Sequence, residues 1–473
     1  MSTDVTRRGT RRGGGRRGAR RRRVFATTFA VVVGMLLVVG LGGAGIASLQ
    51  GPRVTEVQFD PEAAISASGS RLILTTTRAL QEVEPEQVTV TPATPFTVDT
   101  SGRSVGVRFT LPLYDDTEYT VRVEGLQAVG GGPEADVVET LQTPPLELFI
   151  LRRSDTGDTI FRTDLTGESA VPVYEHPHIE DFRATSSRLV VSVLDEDDET
   201  ALIVTDLDGA GATELTLPGD GRVTNLQSAD RGDLIGYVYT ADDVGIGGGA
   251  ESVLYTASLR DPDAEPVAVA IAGDEQRVAD WRFVPDTDAL LVLTFDSRLL
   301  LSASTGADAV ELGTAIAIDG IARGTPVAAV ERVDGLVLVN LVDGTEAALP
   351  LATADMRPSL VLPLPDDAGT LQTVARFDGL TPVSTSVEVV SADGTSRSVF
   401  ETGGADAVLQ TCVSPSGRYA AVLVAPDVVS NPYDMYGVPL PQTLETHIVA
   451  LADGELVVPL TGFDVSWCQV PPQ

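Results

Sequence analysis

Residues 408–423 read Val408-Leu-Gln-Thr-Cys-Val-Ser-Pro-Ser-Gly-Arg-Tyr-Ala-Ala-Val-Leu423: an apolar strand, a Ser-Pro-Ser-Gly turn and a second apolar strand. The pattern returns from Trp281 as Trp-Arg-Phe-Val-Pro-Asp-Thr-Asp-Ala-Leu-Leu-Val-Leu, and at 465–471 as Val-Ser-Trp-Cys-Gln-Val-Pro. Aligned on Pro285, Pro415 and Pro471, both tryptophans of the chain, Trp281 and Trp467, stand four residues before the proline. Both cysteines, Cys412 and Cys468, stand three before it. Fixed offsets in a chain this poor in Trp and Cys mark a structural repeat.

Outward from this stretch, residues 146–473 divide into units that open with a strand and an Asp-x-x-Gly-like turn and end with a second strand pair. The openings fall at Thr159, Ala201, Ser252, Arg298, Leu336, Val387 and His447, roughly 40–60 residues apart, which suits one four-stranded propeller blade per unit. The seventh unit stops after Trp467-Cys468-Gln469-Val470 and lacks its outer part. The unassigned run Glu147-Leu-Phe-Ile-Leu-Arg152 is expected to supply it, joining the first and last blades into a ring of seven. The units near Leu226 and Ile321 depart from the pattern, which leaves six or eight blades as alternatives. The segment Ser414-Pro-Ser-Gly-Arg-Tyr419 resembles the repeat of TolB-type propellers, periplasmic relatives of the WD-repeat family, and the resemblance implies the same β-propeller fold.

The cysteines at equivalent repeat positions predict a Cys412–Cys468 disulfide; two buried thiols are the alternative, because neighbouring repeats need not bring the Cα atoms close enough. A zinc site would need more ligands than three scattered histidines provide.

The charge is divided by position. All 33 basic residues are arginine, which removes Schiff-base and P-loop lysine chemistry. Ten arginines lie in residues 1–23; the remaining chain holds 23 arginines against 66 acids, a formal −43. Such a polyanion repels nucleic acid and anionic headgroups, so no nucleic-acid partner is expected for it. Residues 1–23, rich in Arg and Gly, are expected to be a disordered cytoplasmic tail. Residues 24–49 contain no charged side chain and are long enough for a membrane-spanning anchor. Arginines on their N-terminal side predict a single-pass protein whose later domains are extracytoplasmic, at the cell membrane. A cleaved signal peptide ending near Gly45-Ile-Ala47, and a twin-arginine signal at Arg22-Arg-Val-Phe25, are the alternatives to a retained anchor.

Residues 53–144 read as short strands of period two at 54–59, 71–76, 88–91, 105–110, 118–123 and 137–142. Tyr119, Val121 and Val123 face one side, Thr120 and Arg122 the other. With Pro61, Val88-Thr-Val-Thr-Pro92, Leu111-Pro-Leu113 and Thr143-Pro144, this stretch resembles the immunoglobulin-like domains of bacterial surface-layer proteins. The resemblance implies a non-catalytic spacer sandwich, so the whole chain is expected to be all-β behind one transmembrane helix.

Catalytic patterns are weak throughout. There is no Gly-x-Ser-x-Gly elbow, and Ser391-Ala-Asp-Gly-Thr395 lacks the repeats and aromatic of a sialidase Asp-box. His176-Pro-His178 reads as a loop without a third metal ligand, and no cofactor is expected. The acidic run Asp195-Glu-Asp-Asp-Glu199 carries oxygen ligands that suit calcium but lacks the spacing and glycine of a calcium loop. The Gly-rich insertion 241–251 has no recognition chemistry. The insertion 427–443, Asp-Val-Val-Ser-Asn-Pro-Tyr-Asp-Met-Tyr-Gly-Val-Pro-Leu-Pro-Gln-Thr, interrupts the blade pattern; Tyr433, Met435 and Tyr436 are its candidate partner-binding residues, with packing over the adjacent blade as the alternative. The expectation is a membrane-anchored binding or scaffolding protein engaging an envelope protein or glycan through a propeller face. The alternative is a propeller hydrolase or lyase with carboxylates, and calcium if the acidic ligands converge, at the central channel.

Overall fold

The computed structural model describes residues 51–472 apart from 196–198, 231, 246–248, 305–308 and 354–355, together with positions 29, 32, 33, 35 and 36. The tail expected over 1–23 and most of the anchor expected over 24–49 lie outside the described residues. Among the described residues no helix is long and apolar enough to cross a membrane.

The N-terminal unit is a two-sheet sandwich. Its strands are β1 (Val54–Gln58), β2 (Arg71–Thr76), β3 (Val88–Thr91), β4 (Phe96–Ser101), β5 (Ser104–Phe109), β6 (Glu118–Leu126) and β7 (Ala135–Gln142). They form the antiparallel sheets β1-β2-β5-β4 and β3-β6-β7. The period-two alternation points Leu72, Leu74, Val105, Val107 and Phe109 from one sheet at Val90, Tyr119, Val121 and Val123 from the other, all buried. Two elements were not anticipated. β4 has only Phe96 and Val98 as large apolar residues, yet it pairs with β5 through a tight turn at Gly102, whose φ of 58° suits glycine. Helix α1 (Pro61–Ser66) is capped by Asp60, which accepts from the Ala63 N–H at 3.1 Å, and starts on Pro61.

Seven antiparallel sheets follow in chain order, numbered here as blades 1–7. Blade 1 has three strands, Glu147–Arg152, Asp158–Asp164 and Val171–His176; the others have four. The innermost strands of blades 2–7 are Ile179–Ala184, Gly221–Ser228, Val278–Phe283, Ala317–Ile321, Leu360–Pro363 and Ala407–Val413. They neighbour one another around a channel, whereas outer strands such as Glu346–Ala348 are exposed throughout. Blade-to-blade packing is close: Trp281 is fully buried against Gly236 of blade 3, where a Cβ would lie 2.5 Å from the indole.

Ring closure runs through the pairing expected, with one correction. Leu151 and Phe463 exchange both backbone hydrogen bonds at 2.9 Å, and the Ser466 N–H donates to the Phe149 carbonyl at 3.0 Å. Blade 7 is therefore not the incomplete one: it has four strands of its own, and residues 463–466 complete blade 1 from its inner side. With 463–466 counted as the inner strand of blade 1, six of the seven openings read from sequence fall on the third strand of a blade and Ser252 falls one residue before it, so the sequence unit runs two strands out of phase with the structural one. A phase shift of this kind leaves pairing patterns unchanged, which is why periodicity alone does not reveal it.

Candidate interaction face

The turns joining first to second strands gather at one end of the channel, and the sandwich sits on them. Arg418 of the blade 7 turn donates to the backbone carbonyl of Asp115 at 2.7 Å and to its carboxylate at 3.3 Å. The adjacent Tyr419 hydroxyl donates to the same carboxylate at 3.3 Å; burial, then the Asp115 charge, push that hydroxyl up to about 12. Ser68 bonds Asp286 of the blade 4 turn, and Leu111 lies against Gly324 of the blade 5 turn. Helix α1 bridges the two cores, with Ala64 in the sandwich cluster and Ile65 packed among Leu146, Leu148 and Trp467 of the propeller. Beneath α1 a cleft of about 550 Å³ is lined by Phe149, Trp467, Asp230 and Arg323, the last two joined at 2.7 and 2.8 Å.

The channel wall is polar by design of its innermost strands. Each of Ile179–Ala184, Val278–Phe283 and Ala317–Ile321 is bulged next to an aspartate. Asp181 accepts from the Phe182 N–H and Asp280 from the Trp281 N–H, both at 2.8 Å. Arg183 lies between Asp181 at 2.9 Å and Asp464 at 2.7 Å, tying blade 2 to the closing segment of blade 1. Burial holds the Asp181 carboxyl well above the ordinary range; Arg183 pulls against this and the Asp464 charge adds to it. Arg282 pairs with Asp280 and reaches the Ile318 carbonyl of blade 5 at 3.1 Å. Gln227 of blade 3 donates to the Trp281 carbonyl at 2.6 Å, and Gln410 of blade 7 to the Val470 carbonyl at 2.8 Å. These side chains stitch neighbouring blades together. Asp319, lining a channel cavity of about 80 Å³ with Arg282 and Gln410, has its carboxyl raised to about 6 by burial and by the nearby Glu331 charge.

The opposite end of the channel is free of the sandwich. There the insertion 427–443 leaves blade 7 and closes over blade 1. Tyr436 donates to both carboxylate oxygens of Asp158 (2.9 and 2.8 Å), lies tilted by 31° against the His178 ring with centroids 4.0 Å apart, and receives the Arg153 guanidinium on its ring at 3.7 Å. Arg153 also bonds Asp434 at 2.8 Å, and the Gly437 N–H donates to Glu180 at 3.0 Å. Burial, then the bond to Asp158, raise the Tyr436 hydroxyl, so it stays protonated and donating. Leu440 and Leu444 root the loop in the core shared with Phe182 and Phe463.

Of the three predicted contact residues, Tyr436 is thus taken up by packing, while Tyr433 and Met435 are 55% and 94% exposed. On the same end, the blade 6 hairpin of strands Thr370–Asp378 and Thr381–Val390 is longer than its counterparts and overhangs the face by about three residues, roughly 10 Å. Phe377, Leu380 and Val383 at its tip are exposed, Leu380 at 97%. The connection 404–406 is wedged between the two projections. A Cβ at Gly404 would lie 2.0 Å from the Pro382 carbonyl, and the Val428 and Asp427 N–H groups donate to Ala405 and Asp406.

Cys412 and Cys468 are disulfide-bonded, with Cα atoms 5.3 Å apart, linking the innermost strand of blade 7 to the segment that completes blade 1. The His176 ring bonds the His178 backbone, and the His178 ring bonds Glu180 at 2.6 Å. No group of three or more His, Cys, Asp or Glu among the described residues is placed to hold a metal; positions 196–198 of the acidic run lie outside them. Sequence reading missed the inner-strand aspartates and the blade 6 tip. The recurrence Asp181-Phe-Arg183 and Asp280-Trp-Arg282 was the available signal for the first.

No protein-family model and no curated protein matches the chain. Among solved structures it is similar to a TolB-assigned protein from Agrobacterium tumefaciens at 14% identity, covering 67% of this chain and 90% of that one with a TM-score of 0.36. It is likewise similar to the β-propeller domain of Cps50 (Swd1) from Myceliophteria thermophila at 14% identity, covering 60% and 86% with a TM-score of 0.39. A third similar structure, the WD40 repeats of RRP9, is 10% identical and covers 72% and 92% with a TM-score of 0.37.

Proposed function

We propose that this chain is a non-enzymatic binding or scaffolding protein of the cell envelope. Residues 24–49 anchor it, the sandwich acts as an immunoglobulin-like spacer, and the propeller face turned away from the sandwich engages an envelope protein or glycan. The observation that carries this reading is the division of the two propeller ends: one is covered by the sandwich, the other presents Tyr433, Met435 and the blade 6 tip to solvent. The charge run of residues 1–23 and the uncharged run that follows support the membrane placement. The test is cross-linking of the full chain in intact cells, comparing the wild type with Tyr433→Ala/Met435→Ala. A defined envelope partner recovered by the wild type and lost by the variant is expected; equal recovery by both contradicts the assignment of the face.

A second reading, a channel hydrolase or lyase, is favoured by one observation, the Asp319 carboxyl raised to about 6 beside Arg282 in the channel cavity. It predicts that Asp319→Asn abolishes an activity toward a glycan while leaving partner capture intact. The binding reading predicts no such activity in the wild type.

A further inference from the structure

Resting on that binding reading, we infer that the partner is a protein presenting a basic surface studded with exposed apolar side chains, docked across the blade 6 tip and the blade 7 insertion. Among the described residues, the connecting segments on this end of the propeller (153–157, 177–178, 195, 199, 215–220, 242–245, 249–252, 269–277, 295–297, 315–316, 333–334, 349–353, 356–359, 379–380, 404–406, 426–444 and 462) hold fourteen acidic residues against three arginines. All three of those arginines, Arg153, Arg277 and Arg357, are already paired with carboxylates of this chain. Any surface that settles here meets a negative field, so the complementary partner is cationic.

Apolar anchoring is the independent observation. Leu380, Val429 and Met435 are each more than 90% exposed, and Phe377, Val383 and Tyr433 are the further exposed apolar side chains of the same two projections, whose roots meet at 404–406. On the sandwich-covered end, by contrast, the exposed large apolar side chain among the propeller turns described is Val342. A patch of this kind next to a charged rim has the composition of a protein-docking surface.

The same chemistry disfavours other occupants. A bilayer accepts apolar tips, but anionic headgroups are repelled by this end of the molecule. A second copy of the chain brings the same negative field to the contact. Glycans stack on flat aromatic faces, and aliphatic Leu380, Val429 and Met435 dominate the tips.

The test is titration of the full chain with three synthetic peptides of equal length: alternating Lys/Leu, alternating Glu/Leu and alternating Lys/Ser. It is repeated with Leu380→Ser/Met435→Ser and, as a control on the covered end, Val342→Ser. These residues are exposed, so the variants keep the fold. Expected are binding of Lys/Leu above both other peptides, about ten-fold weaker binding by the double variant, no change with Val342→Ser, and weakening by salt. Equal affinity for Lys/Leu and Glu/Leu, an unchanged affinity in the double variant, or binding of anionic vesicles or self-association lost in that variant overturns the inference. If the cellular cross-link is lost on mutation of Tyr433 and Met435 but the peptides are not discriminated by charge, the binding reading stands and the partner chemistry assigned here falls. If neither holds, both fall.

Discussion

Arg183 stands between two buried carboxylates, Asp181 and Asp464, at the point where the ring closes. Replacing it by Leu leaves the buried Asp464 carboxylate without a counter-charge, and the expected loss in unfolding free energy is about 3–5 kcal/mol by denaturant titration. Asp181→Asn should cost far less, because burial already favours the neutral form of that side chain. Equal losses would contradict the role given to Arg183. Asp319 supplies a pH signature of opposite sense to that of a salt-bridged acid. Its folded value of about 6 lies above the roughly 3.9 of an unfolded aspartate, so the native state binds its proton more tightly. The contribution of this group to stability is greatest below about pH 4, declines between about 4 and 6, and stays low above that. The decline is on the order of 2 kcal/mol after allowance for partial solvent access. Comparison of wild type and Asp319→Asn across this window should show the slope reduced in the variant.

At the scale of elements, the seam between blades 7 and 1 is held three times: by the Cys412–Cys468 disulfide, by the backbone exchange between Leu151 and Phe463, and by the Tyr436 clasp. The disulfide encloses a 56-residue separation, and Cys412→Ser/Cys468→Ser should lower stability by about 4 kcal/mol on a chain-entropy basis. Tyr436→Phe removes one charge-assisted hydrogen bond, while Asp158 keeps the Ile179 N–H at 2.7 Å. Amide exchange across 427–443 should then speed up by an amount matching about 1–2 kcal/mol, with the propeller strands unchanged. The disulfide was legible because Cys412 and Cys468 occupy one repeat position. The clasp was not, because Arg153, Asp158, His178 and Tyr436 are brought together only by ring closure. Nor was the helix α1, whose six residues are too few for a helical period to show. Inner-strand aspartates such as Asp280 read in sequence as turn residues, since the bulge that accommodates them has no signature apart from the arginine two positions on.

For the molecule as a whole, the sandwich and propeller share polar pins and an apolar bridge through Ile65, so the sandwich is a cap on one propeller end. That leaves the other end, with its two projections, as the face proposed for a partner. The most direct measurement is photo-cross-linking in cells with benzoylphenylalanine placed singly at Leu380, Met435 and Val342. Adducts to one envelope protein from positions 380 and 435, and none from 342, are predicted. An adduct from 342 with silence at 380 and 435 would contradict the account.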